Sequence, residues 1–259
     1  MNSNLTDVDN CDHFINDGNL EEELPSQLHP LLPKSPFKML ITGTSGSGKT
    51  NLVICMILKM LVYDKIYVFS RHLLQDKYLF LKQHLENIES AMEKSIGHKI
   101  TILEKWNDTL DELPSVEDLD KEYRHLILID DFACCNKSQM TKITDLFIRG
   151  RHKNISTIFL TQLYFQTPRP IRLNTNYLCI FESYNRRELT SLTTELGSDL
   201  IKGKFQKIYK SVLSKPYNFL YIDNTTNKHS HRYRSSINGL YQGNEEDLEV
   251  SLDDFKSGD

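Results

Sequence analysis

No run of 18 or more apolar residues occurs in this 259-residue chain, so no segment reads as a membrane-spanning helix. The opening stretch, "MNSNLTDVDNCDHF", lacks the basic flank and apolar core of a secretory signal. Cysteine is sparse and odd in number, at Cys11, Cys55, Cys134, Cys135 and Cys179, and no pair has the C-x-x-C spacing. That excludes a disulfide framework and a zinc site, and points to a reducing, intracellular compartment. The adjacent Cys134 and Cys135 read as packed small residues. There is no internal repeat. Glycine is scarce as well, with only 11 in the chain. Three of these, Gly43, Gly46 and Gly48, fall within six residues.

That concentration sits in "ITGTSGSGKTNL", Ile41 to Leu52. Gly43, Thr44, Ser45, Gly46, Ser47, Gly48, Lys49 and Thr50 fit the phosphate-binding pattern G-x-x-x-x-G-K-[ST]. The apolar "FKMLIT" before it reads as a buried strand. "TNLVICMILKMLV" after it reads as a helix buried almost all round. Strand, glycine turn and helix are the context the pattern requires. Its backbone N–H groups can form a nest, and the helix N-terminus adds positive partial charge. Lys49 is then the cation on the β- and γ-phosphates, and the Thr50 hydroxyl a ligand for Mg²⁺. ATP and Mg²⁺ are the expected ligands.

Charge is unevenly spread. Residues 1–35 and 244–259 each carry −6, which leaves segment 36–243 at +8 within a total of −4. The pattern fits a protein that meets a polyanion, or acidic tails that serve solubility; charge alone favours the second. The expected organisation is an acidic, proline-punctuated, loosely ordered lead-in (1–35), a nucleotide-binding domain (36–225), a basic element (226–243) and an acidic tail (244–259).

Between these ends, strands and helices alternate. Strands are expected at 37–42, 65–70, 99–103, 125–131, 156–162, 177–182 and 217–223, the last closing the sheet. Helices are expected at 50–62, 76–94, up to about Arg149, 186–196 and 199–213. Residues 108–122 read as an exposed acidic loop or helix. The pattern predicts an α/β fold, a mainly parallel sheet with helices on both faces.

Ligands of such sheets sit beyond the carboxyl ends of the strands. "HLILIDD" ends there in Asp130 and Asp131. Asp130 is the candidate Mg²⁺ ligand, which leaves Asp131 to orient or deprotonate water. Gln162 ends the next strand and is either a phosphate- and water-binding amide or a plain loop residue. "RGRHKN" before that strand displays Arg149, Arg151 and Lys153 on a short turn. This is either a solvated loop or a cation aimed at a phosphate, including one held by a neighbour. "KHSHRYR", Lys228 to Arg234, reads equally as a DNA- or portal-contacting element and as a solvated loop.

"LITGTSGSGKTNL", "LILIDD" and "RGRHKNISTIFLTQLYFQTPRPIRLNTN" together resemble the FtsK/HerA superfamily of DNA-translocating ATPases. Within it the resemblance is to genome-packaging ATPases of poxviruses, other large DNA viruses, virophages and Maverick/Polinton elements. It spans roughly residues 35–225. It implies a RecA-like (ASCE) P-loop NTPase fold, with an extra strand between the P-loop strand and the Walker B strand. Gly43 to Thr50 correspond to Walker A, and Asp130 and Asp131 to Walker B. Asp131 stands where relatives often carry a catalytic glutamate. Gln162 corresponds to the sensor glutamine and Arg151 to an arginine finger supplied to a neighbouring subunit. The resemblance further implies a homo-oligomeric ring around double-stranded DNA, a capsid or portal partner, and a viral assembly site in host cytoplasm or nucleus, or on the virion. A small-molecule kinase is the rival of a different class, but it does not need the Asp130–Asp131 pair to activate water. A cellular HerA-like pump is a closer rival, usually with an N-terminal barrel domain for which residues 1–35 leave no room.

Overall fold

The computed structural model describes residues 31–198, 200, 203–226, 232–237 and 239–240. The expectations for the lead-in up to residue 30, for Cys11, for Lys228 to His231 and for the acidic tail lie outside the described residues.

Among the described residues, nine strands form one sheet in the order β3-β2-β4-β5-β1-β6-β7-β8-β9. The P-loop strand β1 (Lys38–Thr42) lies between β5 (Ile155–Thr161) and β6 (Tyr177–Phe181), parallel to both. β2 (Lys65–Ser70) and β4 (His125–Asp130) continue the parallel run toward the edge strand β3 (Leu103–Asn107). β5 therefore separates β1 from β4, as the ASCE resemblance implies. On the other side β7 (Phe219–Asp223), β8 (Tyr233–Ser235) and β9 (Gly239–Leu240) are antiparallel.

β4 and β5 are buried at every position. Both sheet faces are covered, so each strand carries an uninterrupted apolar stretch, 126–129 in β4 and 158–160 in β5, while Ser156, Thr157 and Thr161 are buried polar residues of β5. Alternate residues serve opposite layers. Met39, Ile41, Leu126 and Leu128 pack in the layer of helices α1 (Lys49–Lys59) and α2 (Asp76–Ile96). Leu40, Ile127 and Ile129 pack in the layer of α3 (Lys137–Arg149), α5 (Arg186–Leu196) and α6 (Lys204–Val212). The short α4 (Arg169–Leu173) precedes β6. α3 starts on a capping box: Gln139 N donates to Asn136 Oδ1 at 2.9 Å, and Asn136 N donates to Gln139 Oε1 at 3.3 Å. Such a cap contributes about 1 kcal/mol.

The structure corrects four expectations. The third strand is Leu103–Asn107 rather than 99–103. It is an edge strand, half-buried throughout, so the apolar "KITIL" does not mark its position. Residues 108–122 are not simply exposed, because Leu110, Leu113, Val116 and Leu119 are core residues. The strand expected at 217–223 begins at Phe219 and does not close the sheet, since β8 and β9 extend it. Cys134 is exposed and only Cys135 packs against the core. Among the described residues no helix is long and apolar enough to cross a membrane.

Candidate nucleotide site

The turn from β1 into α1 holds the glycine cluster. Gly48 caps α1 at φ 106°, a left-handed conformation that favours glycine. Gly43 is required by close approach, because a Cβ there would stand 2.5 Å from Phe181 Cβ. Inside the loop, Ser47 Oγ is buried without a hydrogen-bond partner among the described residues. Lys49 Nζ donates to the carbonyls of Gly43 at 2.7 Å and Thr44 at 2.8 Å. Burial lowers the Lys49 pKa, while Asp130 and Asp131 act in the opposite direction.

Strand order brings the two aspartates to this loop. Asp130 and Asp131 line one cavity of about 1,090 Å³ with Lys49, Thr50 and Gln162. The two neighbours have different partners. Asp130 is buried and accepts a 2.6 Å hydrogen bond from the Tyr78 hydroxyl and a 3.5 Å one from Ser70. Burial raises its pKa, whereas the Tyr78 bond and the Lys49 charge oppose that rise. Asp131 has φ 63°, unusual for a residue other than glycine. Its carboxylate instead meets His72 Nε2 at 2.9 Å and accepts from Gln162 Nε2 at 3.4 Å. The left-handed backbone at Asp131 thus gives adjacent carboxylates separate surroundings.

These residues fit the expected ligands. The glycine cradle and the partnerless Ser47 hydroxyl suit a phosphate chain. Thr50 and Asp130 offer only oxygen donors, which suits Mg²⁺ over softer metals. Both lie beside Tyr78, whose hydroxyl bonds Asp130 and also interacts with Thr50.

Residues 28–255 match the family described as poxvirus A32 protein. The chain belongs to that family. Similar proteins include the DNA packaging protein OPG160 of Variola virus and that of Vaccinia virus strain Western Reserve. Each is 27% identical over 178 residues, which is 68% of this chain and 63% of the relative. The chain thus matches less than two thirds of those relatives' length. Among solved structures, it is similar to the genome packaging NTPase B204 of Sulfolobus turreted icosahedral virus 2 in complex with AMP. The identity is 18%, the coverage 74% of this chain and 95% of that one, and the TM-score 0.50. The DNA-packaging ATPase B204 of Sulfolobus turreted icosahedral virus gives 14% identity with the same coverages and TM-score. These likenesses show the fold.

Not every candidate residue of this A32 family member reaches the cavity. Arg151 lies on the 3₁₀ turn Gly150–Lys153, before β5, whereas Gln162 follows that strand. The strand's seven residues separate its ends by roughly 20 Å. Arg151 is exposed, beside Lys38 at the start of β1, whose pKa it helps to lower after burial. The turn is clamped by Asn154, whose side chain donates to the Lys121 carbonyl at 2.7 Å. Arg149 does not share the turn. It ends α3 and is engaged by Asp145 and Glu117.

Within the basic segment, the expectation for Arg234 also needs correction. Arg234 is 1% exposed, stacks 4.1 Å over Tyr221 and donates to the Leu31 and Ile237 carbonyls. It fastens the β7–β8 hairpin to the body and is not on a contact surface. Arg232 donates to Asn224 Oδ1 at 3.2 Å.

Sequence reading missed four residues of the site. His72 follows β2, and Tyr78 is buried on α2. Glu188 is 1% exposed and accepts from Tyr164 N at 2.7 Å, Phe165 N at 3.2 Å and Thr42 Oγ1 at 3.2 Å. It ties the segment after Gln162 to the end of the P-loop strand. Tyr217 lines the cavity from the far side. A charged residue in "RRELTSLTTEL" and a tyrosine in "DKYLFLKQHL" carry no local mark of such roles.

Proposed function

We propose that this protein is an ATP-hydrolysing motor that translocates double-stranded DNA into a viral capsid. Membership of the A32 family and likeness to viral DNA packaging proteins support the packaging role. The observation that carries hydrolysis is the convergence of Lys49, Thr50, Asp130, Asp131 and Gln162 on one cavity, with the two carboxylates in different surroundings.

In this reading the loop from Gly43 to Thr50 wraps the phosphates, and Lys49 leaves its two loop carbonyls to hold the β- and γ-oxygens. Thr50 and Asp130 hold Mg²⁺, with Tyr78 fixing the Asp130 carboxylate. When bound, Mg²⁺ supplies charge neutralisation at the phosphate oxygens. Asp131 takes the proton of the attacking water. Gln162 orients that water, and His72 holds the other oxygen of Asp131. Arg151 serves the γ-phosphate bound by the next subunit of a ring. The site of action is the viral assembly site, with the capsid or its portal as partner.

The test is phosphate release from ATP with duplex DNA and no phosphate acceptor. Wild-type protein should hydrolyse ATP, and Lys49→Ala should fold but not hydrolyse. Turnover that requires a small-molecule acceptor would replace this reading with a kinase. Undiminished turnover in Lys49→Ala would remove the loop from the reaction.

A further inference from the structure

The cavity extends beyond the phosphate loop. Its acidic end lies at β4 and its other end at β6 and β7. In the sheet, β5, β1 and β6 stand between β4 and β7, so the cleft spans about 19 Å at ~4.8 Å per strand. The loop sits on β1, in the middle. A triphosphate whose last phosphate faces Asp131 therefore directs its sugar and base toward β6 and β7.

That end is aromatic. Phe181 and Phe219 are buried, with ring centroids 5.2 Å apart. Tyr217 differs from both, since it is 76% exposed. It stands close to the loop: a Cβ built on Gly48 would lie 3.7 Å from Tyr217 Cδ1 and 3.4 Å from Phe181 Cε1. Its backbone is also unusual. Tyr217 has φ 61° and occupies the third position of the turn Lys215–Asn218, with Pro216 second. Asn218 N donates to the Lys215 carbonyl at 3.3 Å. These are the marks of a type II turn, whose third position favours glycine or asparagine. The Asn218 side chain pins the turn, donating to the Val212 carbonyl at 2.6 Å and to Ser235 Oγ at 3.1 Å. A tyrosine here strains the backbone and leaves its ring in water, so neither feature stabilises the fold. Strain held by a rigid surround at the wall of a ligand cleft points to a role in binding.

We propose that Tyr217 is a stacking platform for the nucleobase of the nucleoside triphosphate held by the P-loop. The inference rests on the nucleotide-binding reading above. Phe181 and Phe219 line the same end of the cleft, and the anchored turn holds the ring near Gly48. Stacking uses the π-face common to all bases, so ATP and GTP depend on Tyr217 alike.

The test is calorimetric titration of the full chain with ATP, GTP and inorganic tripolyphosphate. Tyr217→Gly should weaken both nucleotides by about 5- to 150-fold, the range of one base–aromatic stack. Tripolyphosphate, which has no base, should bind unchanged. Tyr217→Phe should bind nucleotide like the wild type. The melting temperature of Tyr217→Gly should not fall, because glycine suits the positive φ; Tyr217→Asn serves the same comparison if the glycine variant does not fold. Unchanged ATP affinity in Tyr217→Gly, alongside loss of binding in Lys49→Ala, overturns the platform while nucleotide binding stands. Equal weakening of ATP and tripolyphosphate, or a lowered melting temperature, shows that the ring supports the loop and also overturns it. Wild-type protein that binds none of the three overturns the nucleotide reading and the platform with it.

Discussion

Arg151→Ala tests whether neighbouring copies complete each other's sites. Arg151 and Gln162 flank the same strand from opposite ends, roughly 20 Å apart. No side chain spans that distance, so Arg151 cannot serve the P-loop of its own chain. If it acts, it acts on the next subunit. An arginine supplied in this way is typically worth about 10³–10⁵ in rate, or roughly 4–7 kcal/mol of transition-state stabilisation. Nucleotide binding should need it far less. Arg151→Ala protein should therefore bind ATP and barely hydrolyse it. Mixing it with Lys49→Ala protein should restore part of the activity, since one variant brings the loop and the other the arginine. In a head-to-tail ring with random placement, an equimolar mixture makes about a quarter of the junctions competent. The assay is DNA-stimulated phosphate release across mixing ratios. Arg149→Ala is the control, because that side chain is engaged by Asp145 and Glu117. Undiminished hydrolysis by Arg151→Ala alone, or no recovery at any ratio in rings shown to be mixed, would refute the trans assignment.

Three further outcomes are expected. Asp131→Asn should still bind Mg²⁺-ATP but turn it over about 10²–10⁴-fold more slowly, whereas Asp130→Asn should lose Mg²⁺ affinity; Mg²⁺ titrations with the reverse pattern would exchange the two roles. Burial raises the Glu188 pKa above its ordinary value of 4.5, so the folded chain binds more protons there than the unfolded one. Stability from this group is then greatest at low pH and declines as pH rises from about 4.5 through the raised value. Melting temperatures of wild type minus Glu188→Gln should accordingly become more negative across that window, and a flat difference would contradict the raised pKa. Finally, binding of duplex DNA should be independent of sequence and fall steeply with salt, and removal of residues 244–259, which carry −6, should strengthen it. Salt-insensitive binding in a filter or anisotropy assay would argue against phosphate contacts.

Much of this protein is written locally in its sequence. The phosphate loop is legible because its glycines, lysine and threonine act through the backbone conformation of one turn, and spacing alone specifies that turn. The buried strands β1, β4 and β5 are legible for a similar reason, since a strand covered on both faces carries an uninterrupted apolar stretch, here 39–41, 126–129 and 158–160. The carboxyl end of β4 marks Asp130 and Asp131 in the sequence, and strand order brings them and Gln162 to Lys49. The edge strand β3 is not legible by the same logic, because half-burial leaves no continuous apolar run. Other features only the tertiary structure decided. The left-handed backbone that separates Asp131 from Asp130, the hold of Tyr78 on Asp130, the burial of Arg234 and the exposure of Tyr217 beside Gly48 all join residues distant in the chain or set by a single backbone angle. Periodicity reports which face of an element is covered. It carries no record of which neighbour covers it, and that choice is made when the sheet assembles.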